Sequence, residues 1–153
     1  MENGGSYGKS FDYRWSEFFE DVDSILLQMS KMEINPDIIV AVAMGGINLG
    51  VVIAKDMGLP LYTIKVKSYR GKTRGDLYIG EIPEGIRGKK VFVVDDIIDT
   101  KQTITGVCER LKDYKVDVVG KAVLIKREGV KERCIFGRSI GKGTWCNFAW
   151  EYR

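Results

Sequence analysis

The sequence predicts an α/β fold, a central and mainly parallel sheet flanked by helices. Two short, continuous apolar runs, residues 38–42 (IIVAV) and 91–94 (VFVV), read as strands buried on both faces. Segments with apolar residues at helical spacing alternate with them, and that order implies parallel pairing through right-handed crossovers. At 153 residues and 44% hydrophobic composition, the chain suits one domain, 1–153, with a core large enough to fold without crosslinks.

Residues 1–10 are rich in Gly and Ser and are expected to fray. Trp15, Phe18, Phe19, Val22, Ile25, Leu26 and Met29 then fall at steps of three and four, which predicts an amphipathic helix with Asp12 or Ser16 as its N-cap. Asn35-Pro36-Asp37 breaks it before the first strand, 38–42. Gly45-Gly46 makes the turn into a helix over 47–57, which Gly58 stops, with Pro60 just beyond. Residues 61–66 alternate as a second strand. Residues 68–83 carry Arg70, Lys72 and Arg74 among glycines and read as a long loop or loose hairpin, a length that usually signals function. The third strand, 91–94, runs into Asp95-Asp96; a helix over 103–111 and a fourth strand over 116–125 follow. Residues 134–153 mix glycines with aromatics and read as irregular.

Composition excludes some chemistry. No apolar run approaches the roughly 20 residues of a membrane-spanning helix, and the N-terminus has no apolar stretch of the secretory kind, so a cytoplasmic protein with no membrane partner is expected. The net charge of +3 suits an anionic small molecule as well as nucleic acid and decides little. Cys108, Cys134 and Cys146 form no CxxC pair, which speaks against zinc and for free thiols. There is no histidine, so a general base must be a carboxylate, lysine, tyrosine or cysteine. A metal ion must be a hard cation held by oxygen, with Mg²⁺ the first candidate.

The richest segment is 91–103, VFVVDDIIDTKQT. Adjacent acids at the end of an apolar strand are costly unless something binds them. Asp95 and Asp96 can accept from two vicinal hydroxyls or hold a hydrated magnesium ion. Thr100, Lys101, Gln102 and Thr103 lead into a helix N-terminus, where backbone N–H groups, hydroxyls and the helix dipole suit a monophosphate. A diol or metal site beside a phosphate site has the shape of a ribose 5-phosphate. The plainer reading is an N-cap cluster, with Asp99 or Thr100 capping the helix.

Four apolar residues, two acids, two apolars and then Asp-Thr-x-x-Thr resemble the phosphoribosyl pyrophosphate-binding motif of the type I phosphoribosyltransferases. The similarity spans about residues 12–151 and is greatest to the small xanthine-guanine and hypoxanthine-guanine enzymes. The resemblance implies that Asp95 and Asp96 contact the ribose hydroxyls directly or through Mg²⁺, that Asp99 is the general base near purine N7, and that residues 100–103 hold the 5-phosphate. It also implies a homodimer or homotetramer acting on small molecules, phosphoribosyl pyrophosphate and a purine base, rather than on nucleic acid. The family usually has glycine where Lys101 stands; a positive φ there would cost lysine about 1–2 kcal/mol.

The same resemblance extends to other segments. Met44-Gly45-Gly46 matches the pyrophosphate loop, although many relatives have a cation at the position of Met44. The segment from Lys67 through Arg70 and the basic stretch behind it match a flexible hood that closes on pyrophosphate; a solvated basic loop is the bland alternative. Lys126 matches a lysine that reads O6 of a 6-oxopurine. Trp145 would stack on the base, the main-chain carbonyls of Trp145 and Cys146 would read its 2-position, and Glu151 would stand near metal and pyrophosphate. The alternative for Trp145 is a core side chain. Met44 and Lys101 also favour a second possibility, a regulator of the same fold that binds the sugar pyrophosphate or a nucleotide without catalysing transfer.

Overall fold

The computed structural model describes residues 8–68, 77–99 and 103–151. In chain order they form β1 (Lys9–Tyr13), α1 (Trp15–Lys31), β2 (Ile38–Ala43), α2 (Ile47–Met57), β3 (Leu61–Ser68), β4 (Leu77–Ile79), a 3-10 turn (Glu84–Ile86), β5 (Lys90–Ile98), α3 (Thr103–Asp113), β6 (Asp117–Arg127), β7 (Ile135–Ile140) and β8 (Thr144–Phe148). Six strands make the central sheet in the order β4-β3-β2-β5-β6-β7, and every pair except β3–β4 is parallel. β1 and β8 form a separate two-stranded parallel ribbon.

Strands β2, β5 and β6 each feed two cores. Ile39, Ala41, Phe92, Val94, Ala122 and Leu124 face α1 and α2, whereas Ile38, Val40, Val42, Val91, Val93 and Val123 face α3. This explains why IIVAV and VFVV are apolar without alternation: both faces are covered. Each side chain fully withdrawn from water there contributes roughly 1.5–3 kcal/mol.

The structure corrects several expectations. Helix α1 starts at Trp15 with Arg14 as its N-cap, so neither Asp12 nor Ser16 caps it; the Glu17 carboxylate accepts from the Arg14 N–H at 2.9 Å instead. That hydrogen bond also pulls the Glu17 carboxyl below its usual range. Residues 9 and 10 do not fray, because β1 pairs with β8. Part of the 68–83 segment is ordered as β4, paired antiparallel to β3. The stretch 134–153 contains two strands, not an irregular coil. Gly137 conceals β7 in the sequence: a Cβ there would lie 2.4 Å from Cβ of Asp21, so the glycine lets α1 approach the strand.

Asp21 is the main polar knot of this layer. It is buried, accepts from the Tyr13 hydroxyl at 2.7 Å, and is held by Nε of Arg138 at 2.9 Å. Nη2 of Arg138 also donates to Glu20 at 2.9 Å, and β1, α1 and β7 are joined through the one Asp21 carboxylate. Burial, followed by the Asp21 hydrogen bond, holds the Tyr13 phenol far above its ordinary value. No helix of the described residues is long and apolar enough to cross a membrane.

Candidate active site

After β2 the chain crosses to β3 on one side of the sheet, and β5 then adds on the other side of β2. Such a reversal opens a crevice beyond the carboxyl ends of the two strands. Met44-Gly45-Gly46 leaves the end of β2, and Asp95-Asp96 lies near the end of β5, so the topology brings these two segments together.

The contact is close. A Cβ on Gly45 would lie 2.5 Å from Oδ2 of Asp96, and one on Gly46 would lie 2.4 Å from the Val94 carbonyl oxygen. Only glycine fits at either position without displacement. Met44 projects outward and is 81% exposed.

β5 continues to Ile98, so the two acids lie within the strand rather than after it. Asp95 is buried, and its Oδ1 accepts from the Asp96 N–H at 2.8 Å. Burial, and then the neighbouring Asp96 charge, push the Asp95 carboxyl well above the usual range. Burial also raises Asp96, and the Glu151 charge adds to the rise. Desolvation and like charge thus act together on adjacent carboxyls.

Asp99 is half-buried and follows the last residue of β5, and Thr103 opens α3. Thr100, Lys101 and Gln102 lie outside the described residues, as do Arg70, Lys72 and Arg74. Lys126 lies within β6, one residue before its end, with its backbone registered beside Ile98. Its ammonium rests 5.3 Å from the Phe136 ring centroid.

The C-terminal segment approaches the acid pair through Glu151 and Cys146. The Cys146 thiol is pushed up to about 12, by burial first and then by the charges of Glu151 and Asp96. Oε1 of Glu151 accepts from the Phe148 N–H at 3.2 Å. The two tryptophans of this segment differ. Trp150 packs inward, stacked on Phe148 with ring centroids 4.9 Å apart and 18° between planes, whereas Trp145 is 41% exposed. The core reading fits Trp150 and not Trp145.

Two contributors escaped the sequence reading. β1 supports the C-terminal segment: Asp12 pairs with Asn147 in register, and Nδ2 of Asn147 donates to its carboxylate at 3.1 Å. The two segments border a cleft of ≈ 630 Å³ that includes Asp12, Arg14, Trp15, Asn147 and Glu151. Arg127 is also buried, and its Nη1 donates to main-chain carbonyls between β7 and β8. The only sequence signal for it was an arginine closing an apolar strand.

Residues 13–153 match the model of the phosphoribosyl transferase domain. A hypoxanthine/guanine phosphoribosyltransferase from Methanosphaerula palustris is 27% identical over 122 residues, 72% of this chain and 65% of that protein. The transcriptional regulator GfcR of Methanocella arvoryzae is 26% identical over 106 residues, 66% of this chain and 51% of that protein. The chain therefore spans about half to two thirds of these relatives. Among solved structures, a purine phosphoribosyltransferase from Pyrococcus horikoshii Ot3 superposes with a TM-score of 0.79 at 25% identity, covering 94% of this chain and 95% of that one. With the domain model matching nearly its whole length, this chain belongs to the phosphoribosyltransferase family.

Proposed function

We propose that the chain transfers the 5-phosphoribosyl group of phosphoribosyl pyrophosphate to N9 of a 6-oxopurine, releasing a nucleoside 5′-monophosphate and pyrophosphate. Guanine, hypoxanthine and xanthine are the candidate bases, and purine salvage in the cytoplasm, by a homodimer or homotetramer, is the setting. One observation carries the reading: the buried Asp95 and the half-buried Asp96 lie directly under the Gly45–Gly46 loop at the switch in strand order. A crevice with diol acceptors on one wall and an open backbone on the other suits a sugar bearing a pyrophosphate.

The acid pair fits Mg²⁺ in its chemistry. Both ligands are hard oxygens, and their raised proton affinity is what a divalent cation would relieve. Among the described residues no three His, Cys, Asp or Glu side chains converge to hold an ion by themselves. Magnesium usually completes its shell with water and substrate oxygens, so one or two carboxylates suffice. When bound, the ion supplies charge neutralisation to the pyrophosphate.

In this reading Asp95 and Asp96 orient the ribose through its hydroxyls, while residues 100–103 hold the 5-phosphate at the start of α3. The Gly45–Gly46 backbone and Arg70 receive the pyrophosphate. The C1′–O bond breaks, its electron pair leaving with pyrophosphate, and N9 of the base forms the new bond to C1′. Asp99 takes or shares the N7 proton. Lys126 donates to O6, Trp145 covers the purine face, and the carbonyls of Trp145 and Cys146 receive the 2-position. Glu151 adds negative charge near the metal.

The exposed Met44 supports a second reading, a regulator that binds the sugar pyrophosphate or a nucleotide without turnover. The similarity to a transcriptional regulator points the same way. Guanine, hypoxanthine, xanthine and adenine, each incubated with phosphoribosyl pyrophosphate and Mg²⁺, separate the two. Pyrophosphate release with an oxopurine supports transfer; binding without release with any base supports regulation.

A further inference from the structure

Lys126 and Arg127 are successive residues at the end of β6, and their side chains go to different places, as strand alternation requires. Lys126 lies over Phe136, whereas Arg127 reaches towards the turn between β7 and β8. Nη1 of Arg127 donates to the carbonyls of Thr144 at 2.6 Å, Gly141 at 2.9 Å and Lys142 at 3.3 Å. One buried guanidinium nitrogen therefore gathers three carbonyls of a four-residue turn, leaving Trp145 as the next residue along. The Lys142 side chain of the turn lies over Gly129, which adopts φ +91°; a Cβ there would lie 2.5 Å from Cε of Lys142. Its own closing bond runs from the Thr144 N–H to the Gly141 carbonyl at 3.2 Å.

We propose that Arg127 is a positioning residue that determines how well the purine base is held. It acts by fixing the main chain of residues 141–144, so that Trp145 and the carbonyls that follow stand at a set height over the site. This role rests on the purine reading given above. Charge-assisted hydrogen bonds to carbonyls are among the stronger ones, and a guanidinium holds its donors in a rigid plane. Supporting groups of this kind govern the precision of a site without touching its ligand. The ribose side of the site hangs on β5 and α3 and does not depend on this turn.

The test compares the wild-type chain with Arg127→Met and Arg127→Lys, measuring KM for the oxopurine and for phosphoribosyl pyrophosphate separately. Arg127→Met is expected to raise the base KM by about 10-fold or more and to leave the phosphoribosyl pyrophosphate KM within about twofold, the signature of lost binding on one side of the site. Arg127→Lys, which keeps the charge on a shorter, unforked head, should show the same split at about threefold. Hydrogen exchange of the amides of residues 141–146 should speed up in both variants without ligand. If Arg127→Met does not fold, Arg127→Lys carries the test. Parallel rises in both KM values, or an unmoved base KM in a folded variant, overturn the positioning role and leave the transferase reading intact. A wild-type chain that neither binds nor converts any oxopurine overturns both.

Discussion

Gly45 lies so close to Asp96 that a β-carbon would stand 2.5 Å from its carboxylate oxygen, whereas one on its neighbour Gly46 would stand 2.4 Å from the Val94 carbonyl oxygen. The two glycines should therefore fail differently. Gly45→Ala meets a side chain and displaces the Asp96 carboxylate; it should cost about 1 kcal/mol of stability, the low end for overpacking, and weaken phosphoribosyl pyrophosphate binding by roughly tenfold or more. Gly46→Ala meets main chain, which cannot rotate away, and should cost about 3 kcal/mol or more. Urea midpoints and sugar-pyrophosphate titrations on both variants check the contrast, and equal stability losses would contradict it.

Asp95 should make the stability of the chain depend on pH. Its folded carboxyl is raised, so the folded protein keeps a proton that the unfolded chain has released. That stabilising difference is present at acid pH and is lost as pH rises from the ordinary carboxyl range towards the raised folded value. The ligand-free protein should therefore melt at a higher temperature near pH 5 than near pH 8 as far as this pair is concerned. Asp95→Asn, whose amide oxygen can still accept from the Asp96 N–H, should flatten this dependence and stabilise the ligand-free chain at pH 8 by about 1–3 kcal/mol. It should also weaken Mg²⁺-dependent ligand binding. Melting curves at the two pH values decide; a variant with an unchanged slope would show that other groups set it.

Asp99 follows the end of β5 on the half-buried margin of the crevice. Asp99→Asn should leave the melting temperature near that of the wild type and lower turnover by roughly 10²-fold or more, the range for a lost general base. Turnover that stays the same removes Asp99 from that role.

The Tyr13–Asp21–Arg138 knot should show graded losses. Tyr13→Phe removes one hydrogen bond to a carboxylate that Arg138 still holds and should cost about 1–3 kcal/mol. Arg138→Met leaves Asp21 buried without its cation and should cost more, about 3–5 kcal/mol. Denaturant titrations of both variants give the order directly.

The sequence was most legible where a single physical demand ruled. Strands β2 and β5 are covered on both faces, so their unbroken apolar runs identified them, and α2 ends at Gly58 in the left-handed conformation that its glycine suggested. The acid pair stood out because its cost needed an explanation. Legibility failed where pairing over long distances overrode local signals. β7 carries a glycine because α1 presses on it, and β1 is ordered only because β8 lies beside it. Arg14 caps α1 through its backbone, and no local preference for arginine announces that. The work of Arg127 was equally hidden, since its partners are main-chain carbonyls 14 to 17 residues away.

The ribbon of β1 and β8 bears on the order of assembly during synthesis. Asp12 and Asn147 are 135 positions apart, yet they join across neighbouring strands. On the ribosome, β2 through β6 can pair and cover both faces before β8 has emerged, because each new strand lies beside one already made. The wall that carries Trp145 has no such local partner, and closing so long a loop is slow. A nascent chain should thus form the wall made by β5 and α3 first, and the wall that carries Trp145 only when β1 is joined by β8.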